Sequence, residues 1–151
     1  MTLSGTARCI CDSAATIKLM HNGTDEFWFC GCCNQAIAED LLPDVRDPAE
    51  LRRWAESFWS IYILWLASAE YEEWAAAELF DMMSPVNQLG INLVKSARSD
   101  VPVYYYLSWN ESVESAEPPP CCPLCQAAWE VLPCQGRDVV VCESDRLLLY
   151  R

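Results

Sequence analysis

The stretch Ala15-Thr-Ile-Lys-Leu-Met-His-Asn-Gly-Thr-Asp-Glu-Phe-Trp-Phe-Cys30 is typical of a β-hairpin. Two β-prone runs flank the pair Asn22-Gly23, and Asn-Gly is the strongest short hairpin signal that a sequence carries. Such a hairpin places Cys11 and Cys30 at its open end. A zinc ribbon brings its two ligand pairs to one metal in this way, so the stretch predicts a metal-binding hairpin.

All ten cysteines lie in two segments near the two ends of the chain. The gap between Cys11 and Cys30 is 18 residues and that between Cys125 and Cys142 is 16 residues. Both fall within the roughly 15–20 residues that join the ligand pairs of a zinc ribbon. Five disulfides in an exported domain are the alternative. No basic and apolar leader is apparent at the start, which favours thiolates in a reducing, cytoplasmic compartment.

The N-terminal segment is predicted to hold one zinc ion with four thiolates. The predicted ligands are Cys9, Cys11, Cys30 and Cys33. Four thiolates close a tetrahedral shell, and a closed shell is typical of a structural site rather than a catalytic one. Cys32 is left over in this assignment.

The C-terminal segment offers three thiolates and one carboxylate. The predicted ligands are Cys122, Cys125, Cys142 and Asp145. Asp145 stands where a ribbon would have a fourth thiolate, and a carboxylate is a harder, weaker zinc ligand. Cys134 or Cys121 could replace it, or the segment could have lost its metal. The sequence therefore predicts one zinc ion per chain, and a second if this set binds.

The segments between and around these clusters predict an α+β protein, with a helical core flanked by an N-terminal and a C-terminal zinc-ribbon-like β-hairpin unit. We expect an N-terminal zinc-ribbon-like unit at 1–46, a helical core with a following strand at 47–110, an acidic, proline-rich linker at 111–120, and a degenerate C-terminal zinc-ribbon unit at 121–151.

The helical core opens at Asp47-Pro48-Ala49-Glu50, where a capping aspartate, an early proline and a glutamate form a capping-box pattern. Helix is predicted to about Met82, with Ser68 as the cap of a second segment, and again from Ser84 to about Arg98. The first half is apolar nearly all round, which predicts a helix buried at the centre of the core. Gly90 lies inside the last helix and predicts close packing against another helix.

The charge of the chain limits its partners. The 151 residues include 22 acidic and 10 basic side chains, for a net charge of −12. Nucleic acid binding depends on Lys and Arg that neutralise phosphates, so the balance is unfavourable for it. An acidic surface favours a basic protein partner, or serves only solubility. The apolar run 58–67 is half the roughly 20 residues of a membrane span, so no membrane association is predicted.

Catalytic chemistry is sparse in the sequence. His21 is the single histidine and lies in the predicted turn, where it is expected to be solvated. An open zinc site at Asp145 with Glu143 as base would allow hydrolysis, but ribbon hairpins are shallow. Tyr104 and Tyr106 can share one face of a strand and are expected to pack in the core. The glutamates of the helical middle are expected to be solvated: Glu70, Glu72, Glu73 and Glu78.

Several of these features together resemble an uncharacterised bacterial family described as zinc-ribbon-containing and suggested to bind nucleic acid. The matching features are Cys30-Gly-x-Cys33, Leu42-Pro43, Trp54, Gly90, Pro102-Val-Tyr-Tyr-Tyr-Leu107, Cys122-Pro-x-Cys125, Trp129 and Cys142-x-x-Asp145-Arg-Leu-Leu. The family pattern has cysteine at the last position, so Asp145 is a departure. Its nucleic-acid role is an analogy drawn from zinc ribbons in general, and the net charge of this chain opposes it.

The predicted function is that of a non-catalytic zinc-binding interaction protein. A small acidic protein without an evident active site is similar to immunity or antitoxin proteins, so we expect an acidic surface that binds and neutralises a basic protein toxin. The alternatives are a nucleic-acid-associated zinc-ribbon protein and a zinc hydrolase.

Overall fold

A computed structural model describes residue 11 and residues 16–110, 116–134 and 136–151. It contains three α-helices, one short 3-10 helix at Glu39–Leu41 and six β-strands. The predicted α+β class is confirmed. The ribbon-like character of the two cysteine segments and the segment boundaries remain predictions.

The N-terminal hairpin forms as its sequence predicts. Strand β1 (Ile17–Leu19) pairs antiparallel with β2 (Trp28–Cys30), in a register that sets the first residue of β1 opposite the last of β2. Gly23 lies in the connection with φ +88°, a left-handed conformation that glycine adopts without steric penalty. Its Cα also lies against the Trp59 ring, since a Cβ there would approach that ring to 2.7 Å.

Three helices follow: α1 (Pro48–Ala67), α2 (Glu72–Phe80) and α3 (Pro85–Ser96). The Asp47 carboxylate caps α1 by accepting a hydrogen bond from the Ala49 N–H at 3.0 Å, as predicted for a capping aspartate. The predicted break at Ser68 is also present. The Ser68 hydroxyl donates to the Leu64 carbonyl and accepts from the Tyr71 N–H, so it satisfies groups on both sides of the break.

One mixed sheet joins the two ends of the chain. Its remaining strands are β3 (Val103–Tyr106), β4 (Glu130–Leu132), β5 (Val139–Cys142) and β6 (Leu147–Tyr150). The strand order is β2-β1-β3-β6-β5-β4. Strand β3 is parallel to both of its neighbours, and the hairpin pairings β1–β2, β5–β6 and β4–β5 are antiparallel. Strands from both cysteine segments therefore belong to one sheet.

The sheet is strongly curved. Strands β2 and β4 are its two edges, and six flat strands would set such edges about 24 Å apart. Cys32 and Cys134, each two residues beyond an edge strand, are nevertheless disulfide-bonded with a Cα–Cα distance of 5.3 Å. Curvature therefore encloses the face of the sheet that the helices do not cover.

Apart from the edge strand β4, both faces of the sheet are buried, and residues alternate between them. Tyr105 of β3 faces the helices, whereas Tyr104 and Tyr106 pack on the enclosed face. This division matches the prediction that at most two of these tyrosines share a face. On the helix side, the Trp54 indole donates to the Tyr105 hydroxyl at 3.2 Å, and that hydroxyl donates to the Asn87 amide oxygen at 2.7 Å.

Gly90 allows this contact between helices and sheet. A Cβ at this position would come within 2.1 Å of the Tyr105 ring and 2.8 Å of the Trp54 indole nitrogen. The close packing predicted from Gly90 is therefore present. Its neighbours are Tyr105 of strand β3 and Trp54 of helix α1, whereas the prediction named only another helix.

The predicted burial of α1 is wrong for its second half. Trp54 and Ala55 are its buried residues, whereas Ile63 and Leu66 are 44% and 57% exposed. The physical reason is that the far end of α1 packs against α2, where Trp65 lies edge-on against Phe80, and no described element covers Ile63 and Leu66. No helix among the described residues is long and apolar enough to cross a membrane.

Candidate metal centres

The four predicted C-terminal ligands meet in space. Cys122 and Cys125 lie in the turn before β4, Cys142 ends β5, and Asp145 lies in the turn between β5 and β6. One ligand atom from each residue lies within 4.8 Å of the other three. Strand pairing sets this geometry, because the β5–β6 hairpin and the β4–β5 pairing bring the two turns to the same end of the sheet.

The spacing within this C-terminal cluster fits a tetrahedral metal. Metal–sulfur bonds of about 2.3 Å in a tetrahedron place two sulfurs about 3.7 Å apart. The Cys125 and Cys142 sulfurs are separated by 3.6 Å. The Asp145 Oδ2 lies 3.2 Å from the Cys122 sulfur and 3.7 Å from the Cys142 sulfur. The cluster could therefore hold a metal ion with all four side chains.

The turns that carry the ligand pairs share one conformation. In each pair the residue after the second ligand has a left-handed φ: 62° at Asn34, 64° at Gln126 and 57° at Arg146. Residues other than glycine adopt this conformation at a cost of roughly 1 kcal/mol or more, so its recurrence is informative. The turn ending at Asp145 resembles the two turns that end in cysteine, which supports the carboxylate as a ligand.

In the C-terminal cluster the pKa shifts favour a protonated Cys122 thiol beside an ionised Asp145 carboxylate. Burial raises the pKa of the Cys122 thiol to about 12, and this thiol donates a hydrogen bond to Asp145. Hydrogen bonds from the Cys125 thiol and then from its cysteine neighbours lower the pKa of the Asp145 carboxyl. A metal ion entering the cluster has to displace thiol protons, so binding would be coupled to proton release.

The N-terminal cluster is described through three of its predicted ligands. Cys11, Cys30 and Cys33 come together, with the Cys11 and Cys30 sulfurs 4.0 Å apart, and these three could hold a metal ion. Cys9, the fourth predicted ligand, lies outside the described residues.

The disulfide revises two assignments made from spacing. Cys32, left over by the predicted ligand set, is bonded to Cys134. Cys134 is therefore not available as an alternative to Asp145. Cys121, the other alternative, lies outside the cluster, where its thiol interacts with the Gln126 amide oxygen at 3.5 Å. Spacing could not reveal the disulfide because its two cysteines are 102 residues apart.

Lys18 is a buried charged residue whose burial the sequence does not predict. It lies on the enclosed face with no exposed surface, and its ammonium donates to the Asn34 amide and the Tyr150 hydroxyl. Burial, and secondarily Arg137, lower its pKa to about 7, while the Cys30 and Cys33 thiols act in the opposite direction. Both hydrogen-bond partners of the Lys18 ammonium are neutral. Metal-bound thiolates of the N-terminal cluster would place negative charge near it.

His21 is also placed differently from its prediction. It is half-buried rather than solvated, and its ring stacks on Trp59 with a centroid distance of 5.0 Å. Glu70, Glu72 and Glu73 are exposed, as predicted for solvated glutamates, and Glu78 is half-buried. The turn sequence alone could not predict the burial of His21, because the covering rings come from α1.

Glu143, the base considered for an open metal site, is already engaged. Its carboxylate accepts a hydrogen bond from the Tyr104 hydroxyl and pairs with Arg146 at 3.1 Å. The arrangement of the described cysteine and aspartate side chains can thus bind metal and hold turns together. The chain matches no family model, no curated protein and no solved structure.

Proposed function

We propose that this protein is a non-catalytic, zinc-stabilised binding protein whose α1–α2 hairpin binds a basic protein partner. One observation carries the proposal. The α1–α2 hairpin exposes large apolar side chains in a part of the chain where every charged side chain is acidic. A toxin held inactive in the complex is the partner class that we favour, because neutralisation by binding needs no further chemistry from this chain.

The exposed apolar side chains of the hairpin form a group that we call the apolar hairpin surface. Its members are Ile63, Leu66, Tyr71 and Trp74. Trp74 is 52% exposed and Leu66 57% exposed, although both are large enough to contribute substantially to a core. Grouped apolar exposure of this kind marks interaction sites more often than isolated surface residues do. Tryptophan and tyrosine are also the residues most enriched at the centres of interfaces.

The charge around the apolar hairpin surface defines the partner. Residues 54–94 include six carboxylates and no Lys, Arg or His. The glutamates nearest to the surface in sequence, Glu70, Glu72 and Glu73, are exposed. An acidic rim around an apolar centre is complementary to a basic amphipathic segment, and it disfavours a second copy of this chain through repulsion of like charges.

The metal clusters support the same proposal by their chemistry. Three sulfurs and one carboxylate suit zinc better than the harder cations that prefer oxygen. A site with four protein ligands leaves no open position for substrate, so its role is structural. Zinc in each cluster would stabilise the turns beside the strands that carry the ligands.

The proposal is tested with defined peptides. We expect a helical amphipathic peptide of leucine and lysine to bind one-to-one in calorimetry, and more weakly as salt increases. Leu66→Ser and Trp74→Ser should each weaken binding about tenfold or more, because both remove apolar contacts at the centre. Glu72→Lys with Glu73→Lys should slow association through lost charge complementarity.

Matched controls come from outside the hairpin. Val131→Ser removes a comparably exposed apolar side chain from β4. Asp40→Lys reverses an exposed charge in the 3-10 helix that precedes α1. Both should leave binding unchanged. Equal affinity for a peptide with glutamate in place of lysine, or insensitivity to all hairpin variants, would disprove the proposal. Self-association that Leu66→Ser abolishes would assign the surface to a dimer instead.

A further inference from the structure

A cavity of about 440 Å³ lies between α1 and the ends of two sheet strands. Strands β1 and β3 are parallel neighbours, and the residues that follow their carboxyl ends line the cavity, among them His21 and Ser108. In sheets with parallel strands, ligands commonly bind outside the carboxyl ends. The cavity volume is also within the range of small-molecule sites.

The cavity wall is aromatic and uncharged. Ten of its fifteen described lining residues carry rings, including the four tryptophans Trp54, Trp59, Trp65 and Trp109. Among these described lining residues none is Asp, Glu, Lys or Arg. A charged ligand would lose hydration here without gaining a partner of opposite charge, which is unfavourable.

The rings along one side of the cavity are stacked in parallel. His21 lies on Trp59 with an interplanar angle of 14°, and Trp59 lies on Tyr62 with an angle of 20° and a centroid distance of 5.1 Å. The edges of these rings can contact the face of a planar aromatic ligand, in the edge-to-face arrangement that aromatic pairs also favour. A bound cation would need an open ring face, and these rings cover one another's faces.

His21 provides a polar group in this apolar wall. Its Nδ1 accepts a hydrogen bond from the Gly23 N–H at 3.0 Å. Burial lowers the pKa of the imidazole, against a smaller opposing effect of Asp25, which favours the neutral ring at neutral pH. A neutral imidazole that accepts at Nδ1 carries its proton on Nε2, so His21 has one donor left for a ligand.

We propose that this cavity binds a small, uncharged, planar aromatic molecule that packs against the ring-lined wall at Trp59 and accepts a hydrogen bond from His21. This site is separate from partner binding by the apolar hairpin surface, and the proposal does not depend on that function. It assigns a role to the tryptophan content of the chain beyond core packing.

The test compares two probes of the same shape. Quinoline has a ring nitrogen that can accept a hydrogen bond, and naphthalene has none. We expect saturable one-to-one quenching of tryptophan fluorescence by both, with naphthalene about three- to tenfold weaker because it lacks the hydrogen bond. Tetramethylammonium and 2-naphthoate represent a cationic and an anionic ligand, and neither should compete with quinoline.

Two variants separate the aromatic contact with Trp59 from the hydrogen bond with His21. His21→Phe keeps a ring and removes the donor, so it should abolish the preference for quinoline while naphthalene still binds. Trp59→Ala should remove binding of both probes. Trp74→Ala, which removes an exposed tryptophan outside the cavity, is the matched control and should bind as the parent does.

Three results would overturn the proposal. These are an absence of saturable binding by either probe, unchanged binding in Trp59→Ala, and displacement of quinoline by tetramethylammonium. If Trp59→Ala does not fold, His21→Phe decides the question alone. An unchanged preference for quinoline in His21→Phe would show that His21 does not donate the proposed hydrogen bond.

Discussion

Asp145 would determine how strongly the C-terminal cluster could hold a metal ion. Its carboxylate occupies a ligand position next to three thiols, at the end of a turn shaped like the two turns that end in cysteine. Thiolate binds zinc more strongly than carboxylate does. The local sequence predicted this ligand set because the spacing of a hairpin turn fixes which side chains meet.

Replacing Asp145 with cysteine should therefore tighten the site. We expect Asp145→Cys to slow zinc transfer to a colorimetric chelator by about tenfold or more, whereas Asp145→Ala should speed it. Zinc per chain is measured by mass spectrometry before and after chelation. Cys121→Ser, which changes an adjacent thiol outside the cluster, is the control and should leave the rate unchanged. Equal rates for all three variants would contradict the ligand assignment.

Lys18 shows what residue types alone do not reveal. In the strand pattern it occupies an ordinary polar position, yet curvature of the sheet buries it beneath Tyr106 and Tyr150, with its ammonium 4.7 Å and 4.1 Å from their ring centroids. Tyr150 in turn donates to the Gly31 carbonyl at 2.8 Å, so Lys18 belongs to a network that spans the enclosed face. Only the tertiary arrangement brings these groups together.

At the level of the elements, Gly90 sets the distance between α3 and the sheet. Alanine at an exposed helix position stabilises the helix by about 1 kcal/mol relative to glycine. On helix propensity alone, Gly90→Ala would therefore stabilise the protein. The contact geometry predicts the opposite, since the added methyl group would overlap the ring of Tyr105, a residue that cannot move without breaking its hydrogen bonds to Trp54 and Asn87.

We therefore expect Gly90→Ala to lower the free energy of unfolding by about 2 kcal/mol, the usual range for overpacking. Urea denaturation followed by tryptophan fluorescence measures the change. Asn92→Ala adds helix propensity at an exposed position of the same helix and should be neutral or stabilising. A stabilised Gly90→Ala protein would show that the packing in this region is looser than the contacts indicate.

Helix α1 illustrates why an element can be predicted while its environment is not. The caps at Asp47 and Ser68 and the helical spacing of its apolar residues are local, and the helix bounds follow from them. The exposure of Ile63 and Leu66 depends on which side of α1 the other elements cover. A strongly apolar sequence is consistent with a buried helix and with an interaction surface, and only packing separates the two.

At the level of the whole molecule, the described strands unite the two ends of the chain in one sheet. The β1–β2 hairpin was predictable from its Asn22-Gly23 turn, but the central position of β3 was not, because parallel pairing connects residues far apart in sequence. Strand β4 was missed since Glu130–Leu132 is short and largely exposed. The sheet order was therefore beyond the reach of local patterns.

The Cys32–Cys134 disulfide should contribute substantially to stability. A crosslink that spans 102 residues restricts the unfolded chain and is expected to contribute about 4 kcal/mol. Cys32→Ala with Cys134→Ala should lower the free energy of unfolding by about this amount in urea denaturation at fixed zinc. Cys121→Ala removes a free thiol and serves as control. An unchanged midpoint in the double variant would mean that the bond does not form in solution.

The same bond makes most of this chain a covalent ring. Everything between Cys32 and Cys134 is closed on itself, including all three helices and the acidic stretch before the last strands. A single proteolytic cut anywhere inside that ring leaves both pieces attached, so the nicked molecule loses no part of the chain and gains only the water of hydrolysis. It separates into two fragments on an electrophoresis gel only after a reductant opens the ring.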